Sequence, residues 1–121
     1  MKLAHVIDAV QAVSICQVPD LEAEVRAGLS ADLMSDVLRL GRERMLLITG
    51  LVNPQVVRTA EMLGITAVLF VRAKRPPPET IALAEEAGIA LLATRYTMYE
   101  ASGLLYQAGL VGIGPYADLG G

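Results

Sequence analysis

The chain has 121 residues, a net charge of −3 and 54% hydrophobic residues. Its length fits a single domain that buries a real core, and its acidic balance argues against nucleic acid, whose phosphates select a basic surface. The single cysteine, Cys16, excludes an internal disulfide and any multi-cysteine metal site.

Asp8 and Gln11 interrupt the apolar opening Leu3–Val10, and no apolar run nears the roughly 18 residues that a membrane span needs. A soluble, cytoplasmic protein is the expectation. The one basic cluster, Arg72-Ala73-Lys74-Arg75, is too short for a nucleic-acid footprint and reads as a solvated loop. Apolar residues exceed the roughly 45–50% of an ordinary soluble domain. With no tryptophan and one phenylalanine, the excess is aliphatic and alanine. An exposed apolar patch, and hence a homo-oligomer (a dimer favoured) or a protein partner, is the expected consequence.

Leu3, Val6, Ile7 and Val10 make one stripe of an amphipathic first helix, with His5 and Asp8 opposite. Val13–Val18 alternates apolar and polar as a half-buried strand, ended by Pro19-Asp20. Cys16 falls on its polar phase without an electropositive neighbour, so it reads as inert. Glu24–Leu29 is a further extended segment, and Ser30 is placed to cap a helix over Asp32–Leu40. That helix is expected to bury Leu33, Met34, Val37, Leu38 and Leu40. Asp32, Ser35, Asp36 and Arg39 lie on its other face, where the acids complement the helix dipole and Asp36 pairs with Arg39. Asp32 and Asp36, four apart, also admit a metal or acid–base reading.

From Gly41 the chain becomes periodic. Gly41, Gly64, Gly88 and Gly109 each close a helical segment, as a left-handed C′ glycine does. Apolar runs follow the first three: Met45–Thr49, Thr66–Val71 and Ile89–Thr94. Strands separated by single helices must be parallel, and near-continuous apolarity marks a sheet covered on both faces. Asn53 caps a helix that begins at Pro54 and buries Val56, Val57, Ala60 and Leu63. Pro76-Pro77-Pro78 leads into a helix over Glu79–Ala87, and Thr97-Met98-Tyr99-Glu100 has the spacing of a capping box. The helix it opens carries Ala101, Leu105 and Ala108 on one side. The pattern predicts an α/β fold: a three-layer α/β/α sandwich with a mainly parallel sheet of four to five strands. It occupies residues 1–110, with 111–121 a glycine-rich tail that packs on the domain or on a second subunit.

No P-loop, nucleophile elbow, H-E-x-x-H or CxxC motif occurs, so no cofactor, metal or catalytic residue is assigned. What remains is the edge beyond the strand ends, where open parallel sheets bind ligands. Thr49, Gly50, Asn53, Arg72 and Thr94 stand there, with Asp32 and Ser35 nearby. A guanidinium, hydroxyls and helix N-terminal amides suit a small anionic or nucleotide-like ligand.

Asp32-Leu33-Met34-Ser35-Asp36-Val37, Leu47-Ile48-Thr49-Gly50, Gly64-Ile65-Thr66-Ala67-Val68-Leu69 and Ile89-Ala90-Leu91-Leu92-Ala93-Thr94, with Tyr106 downstream, together resemble the DRTGG domain, from about Met1 to Leu110. That family is similar in fold to the N-terminal domain of HPr kinase/phosphorylase, an α/β sandwich without catalytic residues. The resemblance implies an accessory or regulatory module, and free-standing small members are the nearest match. The chain departs from the family's naming motif: Val52-Asn53 stands where Asp-Arg is expected, and Val71-Arg72-Ala73 where Thr-Gly-Gly is expected. The functional expectation is a non-catalytic regulatory or ligand-sensing module that acts as a homo-oligomer or docks on a partner. The alternative is a small enzyme using Asp32, Asp36 or His5 as acid or base at the strand ends.

Overall fold

The computed structural model describes residues 1–16 and 20–116. Among these, the elements run α1 (Leu3–Val10), β1 (Val13–Ser14), β2 (Ala27–Ser30), α2 (Met34–Leu40), β3 (Met45–Thr49), α3 (Pro54–Leu63), β4 (Ala67–Phe70), α4 (Pro78–Ala87), β5 (Ala90–Ala93) and α5 (Met98–Gln107). They form one five-stranded sheet in the order β1-β5-β4-β3-β2. Strands β2 to β5 are parallel neighbours, and β1 runs antiparallel at the far edge.

This topology explains the layers. Strands β2 to β5 lie side by side in sequence order with one helix between each pair. Crossovers of a single hand then place α2, α3 and α4 on the same face. Their buried residues Met34, Val37, Val56, Val57, Ala60 and Ala84 share one core. The other face is covered by α1 and α5, through Leu3, Val6, Val10, Ala101 and Leu105. The three-layer α/β/α sandwich expected from the sequence is therefore the observed fold.

Every residue of β3 is buried, and its side chains alternate between the two cores as a strand's must. Leu46 and Ile48 enter the α1/α5 core, whereas Met45 and Leu47 enter the other. Strand β4 does the same, with Ala67 and Leu69 on one side and Val68 and Phe70 on the other. Burying each large aliphatic contributes about 1.5–3 kcal/mol, so these two strands anchor the domain.

Several local expectations are corrected. Among the described residues of the alternating strand expected at Val13–Val18, Val13 and Ser14 pair in register with β5 and Ile15 N donates to the Leu91 carbonyl at 2.8 Å; Gln17, Val18 and Pro19 lie outside the described residues. Ser30 does not cap α2. It ends β2, and its hydroxyl hydrogen-bonds that of Ser102 at 2.6 Å, while α2 starts after Leu33 without a side-chain cap. With only 7 residues, α2 buries a stripe of Met34 and Val37 and leaves Leu33 and Leu38 61% and 47% exposed. Asp36 and Arg39 are not among the ion pairs of the described residues, which join Lys2 to Glu22 and Arg26 to Glu43. Thr97 precedes α5, but its side chain makes no capping bond, and Ala108 is exposed rather than buried.

Gly64 and Gly88 adopt the left-handed conformation anticipated for helix-ending glycines. Gly41 ends α2 with φ −66° instead. Its reason is space: a Cβ there would come within 2.7 Å of both the Leu63 Cδ1 and the Val37 carbonyl oxygen. Beyond α5, Leu110 is buried, and the Val111 carbonyl accepts from Gly28 N at 2.9 Å on the outer edge of β2. Among the described residues no helix is long and apolar enough to cross a membrane.

Candidate functional site at the strand ends

The β3–α3 turn is built by three side chains from different parts of the chain. Buried Thr49 donates its hydroxyl to Asp32 Oδ1 at 3.1 Å and accepts from Leu51 N at 3.1 Å. The same Asp32 oxygen accepts from Gly50 N at 2.7 Å. Asp32, carried on the β2–α2 loop, thus fastens the end of the neighbouring strand. Thr80, at the start of α4, donates to the Val52 carbonyl at 2.8 Å and holds the loop from the other side. Asn53 caps α3 as expected, accepting from Gln55 N at 3.1 Å. That bond occupies one of the helix N-terminal amides that an anion would otherwise meet.

The end of β4 has an unusual backbone. Arg72 and Ala73 are consecutive residues at positive φ, 59° and 56°, a conformation that costs a non-glycine residue about 1–2 kcal/mol. It turns both amides toward the end of β5. Arg72 N donates to the Tyr96 carbonyl at 2.8 Å, and Ala73 N to the Thr94 carbonyl at 2.7 Å. Thr94 is buried, and its hydroxyl donates to the Val10 carbonyl at 2.7 Å and accepts from Tyr96 N at 3.3 Å.

These bonds occupy the crevice that topology would otherwise open. In a parallel sheet, a ligand crevice forms where adjacent strands send their following helices to opposite faces. Here β4 leads to α4 on one face and β5 to α5 on the other, so the switch lies between Arg72-Ala73 and Thr94–Tyr96. The backbone laces that gap closed.

The Arg72 side chain is left to project back along the rim. Its Nη2 lies 2.8 Å from where a Cβ on Gly50 would be, and Asp32 Oδ1 lies 3.5 Å from the same point. Glycine at position 50 is therefore what lets the guanidinium lie over the turn. Among the described residues that guanidinium makes no hydrogen bond and belongs to neither of the ion pairs. The rim presents a cation beside a turn whose hydroxyl is already engaged.

Of the residues singled out from sequence, Asp32, Thr49, Gly50 and Arg72 come together. Asn53 lies on the same loop but is turned to its own helix, and Thr94 is committed to Val10 and Tyr96. Ser35 and Asp36 are exposed on α2, and His5 is exposed on α1. None of those three makes a side-chain hydrogen bond to the rim. Among the described residues no group of histidine, cysteine, aspartate and glutamate converges as a metal site.

Sequence reasoning missed Ala73, Thr80 and Tyr96, which shape the rim through backbone atoms or one hydroxyl and carry no motif. It also missed an open cavity of about 370 Å³ at the opposite, amino-terminal end of the strands. Leu3, Val25 and Ile89 give it an apolar floor, with Asp20, Glu24 and Glu85 around it. Cys16 borders this cavity. Burial pushes its thiol pKa up, the Glu85 carboxylate adds to that, and a backbone hydrogen bond at Leu91 opposes it. A raised pKa favours the protonated, less nucleophilic thiol.

No family model matches the chain, and no curated protein matches it. Among solved structures it is similar to the CBS and DRTGG domains of the regulatory region of Clostridium perfringens pyrophosphatase, determined with the activator diadenosine tetraphosphate. The similarity has a TM-score of 0.67 at 15% identity and covers 88% of this chain and 46% of that one. The chain thus spans about half the length of its structural neighbour, and at this identity the likeness is one of fold. That neighbour contains a DRTGG domain, while no family model supports the family resemblance drawn from the sequence blocks.

Proposed function

We propose that this chain is a non-catalytic, ligand-sensing regulatory module that binds a small anionic, nucleotide-like ligand at the rim formed by Thr49–Asn53 and Arg72. The observation that carries the reading is the Arg72 guanidinium, set over Gly50 by two left-handed residues and left without an acidic partner among the described residues. An arginine held this way presents a planar fork of donors that matches phosphate geometry. The strain stored at Arg72-Ala73 is of the kind that concentrates at binding and switch positions. The fold likeness to a regulatory region that takes a dinucleoside polyphosphate supports the class of ligand. In this reading the module acts as a homo-oligomer or docks on a partner, and occupancy of the rim alters that association.

The alternative, a small enzyme with Asp32, Asp36 or His5 as acid or base, requires these groups to converge at the rim. Asp32 is there, but one oxygen is occupied by Gly50 N and Thr49, and Asp36 and His5 stand on other surfaces. The binding module is the better fit.

A thermal-shift screen with ATP, diadenosine tetraphosphate, inorganic pyrophosphate and phosphorylated metabolites tests the proposal. Binding stabilises the fold by RT ln(1 + [L]/Kd), about 2.7 kcal/mol at a hundred times Kd. A nucleotide-dependent rise in Tm that Arg72→Ala abolishes is the expected result. A wild-type chain indifferent to the whole panel, or an Arg72→Ala variant with an undiminished shift, would overturn it.

A further inference from the structure

The outer face of α5 carries a pattern that the single chain explains only at Ser102, whose hydroxyl bonds that of Ser30. Tyr99 and Tyr106 are 88% and 72% exposed. With Ser102 and Gly103 between them they line a shallow depression of about 560 Å³. Residues three and four apart share a helix face, so these four form one stripe.

Gly103 is the informative member. It lies inside a helix, where glycine is the poorest former after proline, yet a Cβ added there would meet nothing within 4 Å. It is not among the glycines with positive φ. No contact within the described residues requires the absence of a side chain, whereas a second backbone approaching from outside would.

The stripe also reads the same in both directions: tyrosine, two intervening residues, two small residues, two intervening residues, tyrosine. In an antiparallel twofold contact residue i meets residue j and j meets i, so this pattern sets tyrosine against tyrosine and small residue against small residue. We infer that α5 packs antiparallel against α5 of a second copy of this chain, with the dyad between Ser102 and Gly103 and each Tyr99 against the partner's Tyr106. This names the surface for the self-association contained in the proposed function and rests on that reading.

Charge and area agree with this occupant. The face carries one carboxylate, Glu100, and no lysine or arginine. In the antiparallel register Glu100 lies opposite position 105 of the other copy, so the two carboxylates do not oppose each other. A tyrosine buries roughly 150–250 Å², so four supply roughly 600–1,000 Å², short of the roughly 1,200–2,000 Å² of a stable interface. The dimer should therefore be concentration-dependent rather than obligate.

Sedimentation of the full chain over a range of concentrations tests this, with Gly103→Ala and Gly103→Glu as variants. A Cβ at position 103 meets nothing within 4 Å, so Gly103→Ala folds and raises the Tm of the monomer, and circular dichroism checks that Gly103→Glu keeps the fold. The expected result is a reversible wild-type dimer, weakened by Gly103→Ala and weakened about tenfold or more by Gly103→Glu, which sets two carboxylates at the crossing. In a Cys16→Ser background, Gly103→Cys should cross-link to itself on mild oxidation, because only a crossing at this point brings the two positions within disulfide range. A chain that stays monomeric at every concentration overturns the inference, as does a dimer whose Kd is unchanged by Gly103→Glu. ATP binding is read separately on the same samples. A dimer sensitive to Gly103→Glu that ignores nucleotides supports this interface and removes only the rim site. A monomer that still binds them overturns only the interface.

Discussion

At the scale of single residues, the rim is held by groups whose removal should be measurable. The Thr94 hydroxyl satisfies the Val10 carbonyl, one of the last carbonyls of α1 that have no partner within their own helix. Thr94→Val keeps the shape and leaves that carbonyl buried and unpaired, so urea denaturation should show a loss of about 1–3 kcal/mol. Ala73 offers the opposite case. Its φ of 56° costs an L-residue about 1–2 kcal/mol, and a glycine there would lose about 0.5–1 kcal/mol to chain entropy. Ala73→Gly should therefore raise stability by about 0.5–1 kcal/mol, seen as a higher urea midpoint with an unchanged m-value. Neither role was legible in the sequence. Thr94 was placed at the correct strand end, but its partner Val10 is distant in the chain, and Arg72-Ala73 contains no glycine to announce a left-handed turn. Asp32 was singled out for its position on a helix. Its actual work on Thr49 and Gly50 depends on which strands lie side by side, and a local pattern does not carry that.

At the scale of elements, the legible parts were those in which local signals agree. Strand β3 coincides with the apolar run Met45–Thr49, and α3 begins at Pro54 with Asn53 as its cap, because propensity, capping and burial coincide there. Helix α2 was misread for the converse reason. Its sequence is apolar on more than one side, so the pattern named Leu33 and Leu38 as core, while a helix of 7 residues buries only the stripe that meets the sheet. Ser30 looked like a cap because serine often is one, yet its hydroxyl partner, Ser102, is 72 residues away. Gly41 divides two explanations cleanly. With φ −66°, alanine is conformationally acceptable there, so any cost must come from contact with Leu63 and the Val37 carbonyl. Gly41→Ala should lose about 1–3 kcal/mol by overpacking in thermal or urea melts. An unchanged stability would show that the α2–α3 junction relaxes freely.

At the scale of the whole molecule, the order β1-β5-β4-β3-β2 decides where a ligand could sit. The sequence indicated a parallel sheet and its functional edge, but not the strand order, and strand order is what locates the switch between β4 and β5. That crevice is laced by backbone bonds, which moves the candidate contact outward onto the Arg72 guanidinium and the Thr49–Gly50 turn. The amino-terminal cavity, ringed by Asp20, Glu24 and Glu85, has the wrong charge for an anion. The two ends of one sheet therefore make opposite predictions, and a residue-resolved titration separates them. In amide NMR spectra recorded with increasing ATP, the account predicts shifts at Gly50, Leu51, Arg72 and Ala73, absent in Arg72→Ala, with Val25, Thr66 and Ile89 unmoved. Shifts confined to the amino-terminal cavity, or rim shifts that persist in Arg72→Ala, would contradict it.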